Sequence, residues 1–419
     1  LRTGFTLIRS SIEIIHLTGE WLKMAKHTDF SEVAKYKKDK KTKKLVESMA
    51  KKLIAVVLIA TAACALVLTR DIWYPKLDGI VQKIPLTAQE NTGELAEGEF
   101  PIKISGGSDY QLLGMSSYFA MLDEMHLYIY DLNGNLNAES QHDYANPVMS
   151  VSGKRVLVYD LGGKKFRVEN RHKTIFEKDT EDAILFAKIS SNDNTAVVTR
   201  PGKALSALSV YNQNGEFIFG LTSNDMRIID VSFTEYGDGL IVTTMGASGG
   251  DMVSKMTKYR FGQKEPVWVS DTVNTMAMSV QPVNGGVMMF GDNKCVFFDS
   301  DGNYKTSFEY KNTLVDFGCS SDMTAILFKD QERRRMSLMM INNADYSVNE
   351  LFIDGDANDL TVSGSEAYVL TQGGVKAYYA DGTEGPKADL ENEYDGFVKI
   401  GNYIYLLGYD EINRIDFSG

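Results

Sequence analysis

Cysteine, histidine and tryptophan are all scarce here: three, five and three among 419 residues. Cys64 falls inside an apolar run, so a disulfide further along could join Cys295 and Cys319 alone, and two buried thiols are the simpler expectation. So few cysteines point to a domain stabilised by its core rather than by covalent staples. The histidines beyond the apolar run are His126, His142 and His172, and none forms a pair at metal-ligand spacing. No G-x-S-x-G elbow occurs, and no serine has an identifiable partner base. These absences leave no catalytic residue and no cofactor to assign, and the chain is not expected to be an enzyme. Basic charge is also short after residue 52, with 31 Lys+Arg against 50 Asp+Glu, net −19. A phosphate backbone would meet the wrong sign, which excludes nucleic acid as a partner.

What is present is organised around Leu53–Thr69, LIAVVLIATAACALVLT, seventeen residues without a charged or amide side chain. As a helix they span roughly 25 Å. Lys51, Lys52 and Arg70 can snorkel at the two ends, and Trp73 and Tyr74 suit the interface beyond, so one membrane crossing is expected. A buried core helix would show polar residues at helical spacing, and a cleaved signal peptide would have a shorter leader. A lipoprotein signal ending at Ala62-Ala63-Cys64 is disfavoured by Thr61 and by the apolar residues continuing past Cys64. Residues 1–52 carry 13 Lys+Arg against 6 Asp+Glu, net +7. The positive-inside bias therefore keeps this tail cytoplasmic and exports the rest. Translation is expected to begin naturally at Met24, which would leave residues 1–23 outside the native chain.

Residues 70–98 mix Pro, Gly and acidic residues with little apolar periodicity and suit an extracytoplasmic stalk. From 99 to 419 the pattern becomes short strands between turn residues. An alternating apolar strand closed by an Asp/Asn/Gly turn recurs as LYIYDLNG (127–134), VLVYDLGG (156–163), LSVYNQNG (208–215), CVFFDSDG (295–302), VKAYYADG (375–382) and INRIDFSG (412–419). MTKYRFGQ (256–263) and MSLMMINN (336–343) are weaker copies. Glycine fits such turns because tight hairpins put residues at positive φ. The first and last copies lie seven intervals of about 41 residues apart, the length of a four-stranded propeller blade. The copy at 156–163 comes early and belongs on a neighbouring hairpin, with KTIFEKD as that blade's outer strand. A second phrase, in SVSGKRVLVY, SSNDNTAVVT, SSDMTAILF and SGSEAYVLT, keeps the same beat one hairpin earlier. The last blade then has three strands, and EFPIKIS (99–105) is placed to supply its fourth. The expected fold is an all-β, eight-bladed β-propeller, with seven blades as the alternative, preceded by a single transmembrane helix.

The leader KYKKDKKTKK, the single anchor and repeats ending in Y-x-x-x-G turns resemble a family of uncharacterised, membrane-anchored, extracytoplasmic β-propeller proteins of low-GC Gram-positive bacteria. The repeats alone are similar to the quinoprotein-like propeller superfamily, which includes outer-membrane assembly scaffolds and dehydrogenases. The resemblance implies no known activity. The dehydrogenases carry a tryptophan-docking motif in most blades, whereas the sole tryptophan after the stalk is Trp268.

Two acidic clusters are weak calcium candidates. Asp299, Asp301 and Asn303 alternate as oxygen ligands would, and Asp354, Asp356 and Asn358 do so again. Both lack the glycine and glutamate of a full calcium loop, and hairpin turns capped by Asp and Asn are the simpler reading. The triplet Arg333-Arg334-Arg335 is either a solvated strand end or a contact for an anionic wall polymer. The function expected is a non-catalytic binding or scaffolding platform in the cell envelope, anchored in the bilayer by 53–69, with an envelope protein or polymer as partner. An enzyme acting on envelope carbohydrate or peptide should instead group raised-pKa carboxylates in the channel, whereas a platform should show an aromatic or apolar patch. A transmembrane sensor acting through the basic tail is the third possibility.

Overall fold

The computed structural model describes residues 98–417, Ser108 excepted. The basic tail, the run 53–69 and the stalk up to residue 97 lie outside the described residues. Among the described residues no helix is long and apolar enough to cross a membrane, and all regular structure is β. Eight antiparallel four-stranded sheets make up an eight-bladed propeller. Blades 1 to 7 cover residues 111–141, 147–179, 183–223, 227–269, 277–309, 313–353 and 357–389. Blade 8 takes three strands from 396–416 and its outer strand, Ile102–Lys103, from the start of the described chain. There Ile102 pairs with Ile412 and Lys103 with Glu411. The strand expected in EFPIKIS thus completes the last blade.

The recurring phrase falls on the third strand of its blade in every copy except VLVYDLGG, which forms the second strand of blade 2, Val156–Asp160. KTIFEKD supplies that blade's outer strand, Thr174–Asp179. The second phrase spans the turn between first and second strands in blades 2, 3, 6 and 7. The register is local in origin, because each turn needs a residue that tolerates positive φ and each strand alternates around it.

Burial follows the radial plan. Eight apolar clusters form, one at each joint between consecutive blades. In blade 4, Leu240 and Val242 face blade 3 while Ile241 faces blade 5. Middle strands buried on both faces are therefore apolar almost throughout, as in MTAILF of blade 6.

The turn glycines between third and fourth strands have a second role. Gly215 lies beneath Phe176 and Gly302 beneath Trp268, each aromatic coming from the outer strand of the preceding blade. A Cβ on Gly302 would sit 2.5 Å from Trp268 Cε3, at a φ of +82°. Gly262 has nearly the same φ, +81°, with nothing within 4 Å. Gly262→Ala should lose about 1 kcal/mol and Gly302→Ala about 1–2 kcal/mol more, measured by urea unfolding. Equal losses would show that the tryptophan contact adds nothing.

Candidate functional site

The first strand of each blade lines the central channel, and in several blades it carries a β-bulge. A bulge adds a residue and re-aims the next side chain. In blades 4, 6 and 7 the residue after the bulge is an aspartate: Asp230, Asp316 and Asp359. Each carboxylate joins its own strand to the next blade. Asp230 accepts from the backbone N–H of Val231 (2.7 Å) and of Val280 in blade 5 (2.8 Å), and it also holds the Lys188 ammonium of blade 3. Asp316 accepts from Phe317 (2.8 Å) and from Leu360 in blade 7 (3.0 Å). Asp359 accepts from Leu360 (2.8 Å) and from Phe397 in blade 8 (2.9 Å).

Other joints use neutral groups. Gln111 bridges to Pro147 and Met149 of blade 2, Ser150 accepts from the N–H of Ile189 in blade 3, and the Cys319 thiol meets Gln281 of blade 5. Between blades 8 and 1 the first strands meet through apolar atoms, with Ile400 lying over Gly114, and the polar links lie farther out, where Tyr405 and Arg414 donate to the Leu132 carbonyl. Burial pushes Asp316 up to about 6, opposed by its two backbone donors and reinforced by the charge of Asp359. Burial raises Asp359 as well.

One end of the ring carries the turns between first and second and between third and fourth strands. On this turn face a cleft of ≈ 660 Å³ opens at the channel mouth, walled by blades 3 to 5 and closed by Ser321 of blade 6. A second cleft of ≈ 510 Å³ continues outward between blades 4 and 5 and shares Ser232 to Glu235 and Pro282–Val283 with the first. Its outer wall holds Trp268, whose indole N–H donates to the Ser300 carbonyl at 2.9 Å. Tyr236 stands at the rim, 81% exposed, near the exposed Val267. Ser232 lines both clefts and is 7% exposed, and no protein group hydrogen-bonds its hydroxyl.

A model of the family of unknown function DUF5711 matches residues 96–417, which takes in all eight blades. The chain belongs to that family. Among solved structures the DUF5711 propeller is similar to the computationally designed Ika8 protein, at 12% identity over 75% of this chain and 98% of that one (TM-score 0.57). The C-terminal WD40 domain of Sif2 is similar at 13% identity over 77% and 100% (TM-score 0.57). BamB from Moraxella catarrhalis is similar at 13% identity over 77% and 98% (TM-score 0.53). Likeness at such identities shows the propeller fold alone. No curated protein matches the sequence.

In the DUF5711 propeller the residues singled out from sequence are dispersed. Asp299 caps the turn after the third strand of blade 5. Its Oδ1 accepts from the backbone N–H of Asp301 (3.0 Å) and of Asn303 (2.9 Å), and Oδ2 meets Lys305 at 2.9 Å. The Lys305 ammonium and these donors hold its carboxyl well below the usual range. The turn therefore employs the oxygens that a calcium loop would offer. Asp356 pairs with Lys329 at 3.0 Å. Among the described residues no group of three or more His, Cys, Asp or Glu side chains is placed to hold a metal ion.

Cys295 and Cys319 are free thiols at the joint of blades 5 and 6, each pushed up to about 12 by burial. His142 is buried with Nε2 3.2 Å from the Asp123 carbonyl, and the exposed His172 accepts from Arg171 Nε at 2.8 Å. Arg335 stacks over Phe352 at 5.6 Å, and Arg333 lies 4.0 Å from Asp330. The channel aspartates and the turn-face cleft were not foreseen from the sequence.

Proposed function

We propose that this chain is a non-catalytic binding platform of the cell envelope. Leu53–Thr69 holds it in the membrane with the basic tail inside, and the propeller presents its turn-face cleft outside. The apolar run and the charge contrast, +7 before it and −19 from it onward, support this topology. One observation carries the platform reading. The cleft that continues outward from the channel mouth is open and flanked by exposed Tyr236 and Val267, while the carboxylates nearest to acid–base work are engaged in joining blades. Loops and turns on a rigid frame suit passive recognition.

The enzyme alternative draws on Asp316 and Asp359, neighbouring carboxyls with raised pKa values. Each of their oxygens already accepts a backbone N–H, so a proton cycling through either would disturb a blade joint. The full chain in detergent should capture an envelope component. The double variant Tyr236→Ala, Val267→Glu should lose at least tenfold of that capture with an unchanged melting temperature. Undiminished capture would remove the cleft from the function. Hydrolysis of envelope glycan or peptide that Asp316→Asn abolishes, without unfolding the protein, would establish the enzyme instead.

A further inference from the structure

The walls of the turn-face cleft have an amphipathic chemistry. Around the channel mouth they present short hydroxyls and amides, with Ser191, Ser232, Ser279 and Gln281 among them. No protein group hydrogen-bonds the hydroxyls of Ser232 and Ser279, and both oxygens stay open to the cleft. Water can meet these oxygens in the open cleft, and a ligand hydroxyl can take its place.

Farther out the walls carry aromatic rings, Tyr236 and Trp268. Charge in this region is largely cancelled within the wall. Lys188 is held by Asp230, Arg260 meets Asp238 at 3.0 Å, and Asp299 meets Lys305. Glu235 and Lys258 remain, one of each sign. A polyanion or polycation therefore gains little here.

A pyranose ring has the matching character, with hydroxyls around its edge and C–H groups on its faces. The edge suits serine and amide partners, and the faces suit exposed aromatic planes. The two clefts share a wall and run radially, which leaves room for more than one ring in a row. From these observations we infer that the groove across blades 4 and 5 binds an uncharged polysaccharide chain, with Ser232 and Ser279 on its hydroxyls and Tyr236 and Trp268 against its ring faces.

This inference rests on the platform reading and narrows the partner to a class. Trp268 provides a direct readout. The sequence holds three tryptophans, so replacing Trp21 and Trp73 by phenylalanine in the full chain leaves Trp268 as the sole emitter. That protein would be titrated with neutral glycans: an α-glucan, a β-glucan, a mannan, a galactan and N-acetylglucosamine oligomers. Poly-lysine, poly-glutamate and an uncharged unstructured peptide serve as comparison ligands.

At least one neutral glycan should shift or quench the emission saturably. Tyr236→Ala should raise the half-saturating concentration at least tenfold, and Ser232→Ala should raise it severalfold. Emission unmoved by every glycan, or moved by the peptides alone, overturns the inference. If the glycans fail while envelope capture still depends on Tyr236 and Val267, the polysaccharide class falls and the platform stands. If capture fails too, both fall.

Discussion

Deleting residues 98–105 should lower the unfolding free energy by about 3–5 kcal/mol and make the protein self-associate more than the wild type does. The segment brings more than one strand. Phe100 packs 5.9 Å from the Tyr405 ring and 6.4 Å from that of Phe119, and the Arg414 guanidinium lies 5.1 Å above it. Ile102 joins the same cluster, which contains the fully buried Phe119, Tyr405 and Ile412. Each fully buried side chain of this size contributes about 1.5–3 kcal/mol. Phe100 and Ile102 are half-buried, and the rest of the loss comes from the apolar faces they uncover. Removing the strand also frees the backbone groups of Glu411 and Ile412, a new edge on which a second chain can pair.

Lys103 tests the alternative that the segment acts through its charge. Its amine meets Glu411 at 2.5 Å on the surface, where a pair contributes little, so Lys103→Ala should leave the midpoint nearly unchanged. Denaturant titration and size-exclusion chromatography read both effects. A deletion that kept the wild-type midpoint would mean that the ring holds without this strand.

The closing strand was legible because it followed from counting local signals. A turn that needs Gly134, Gly215, Gly302 or Gly382 at positive φ marks its own position, and the beat of such turns fixes how many strands the final blade lacks. The same locality settled VLVYDLGG, whose early arrival placed it on the second strand of blade 2. The channel aspartates carry no comparable mark. I-I-D-V, L-V-D-F and A-N-D-L look like strands spoiled by an acid, and the reason for the acid is a backbone N–H in another blade.

The cleft is less legible again, since turns from four blades assemble it and no stretch of sequence contains it. Trp268 shows the difference between motif and place. As a solitary tryptophan it fits no repeat signature, yet the fold sets it both over Gly302 and along the groove wall. Asp299 illustrates how one pattern serves two chemistries, because alternating oxygens suit a cation and a capped turn equally until the position of Lys305 is known.

Asp316 should make the protein less stable as pH rises through 6, a direction opposite to that of most paired carboxylates. Its folded pKa of about 6 lies above the ordinary 3.8, chiefly because burial penalises the charged form. Folding therefore favours the protonated acid. The associated stability is fully present below pH 3.8 and is lost as pH climbs through the folded value. The loss is on the order of 2 kcal/mol, reduced from the full linkage because the side chain keeps some contact with water. Asp359 has a raised pKa and adds in the same sense.

The turn aspartates work in another window. Asp299, Asp345 and Asp381 have lowered values, so their stability is present above pH 3.8 and disappears as pH falls through their folded pKa values. The comparison between wild type and Asp316→Asn isolates the channel residue. Asparagine offers one acceptor oxygen where two backbone donors converge, so the variant should be weaker by about 1–2 kcal/mol at pH 4. It carries no charge to bury, and by pH 7.5 the gap should close or reverse. Urea unfolding across this range measures the difference at each pH. A gap that stayed constant from pH 4 to 7.5 would mean that Asp316 is as well solvated in the ring as in the unfolded chain, and the carboxylate girdle would then lose its claim to join blades 6 and 7.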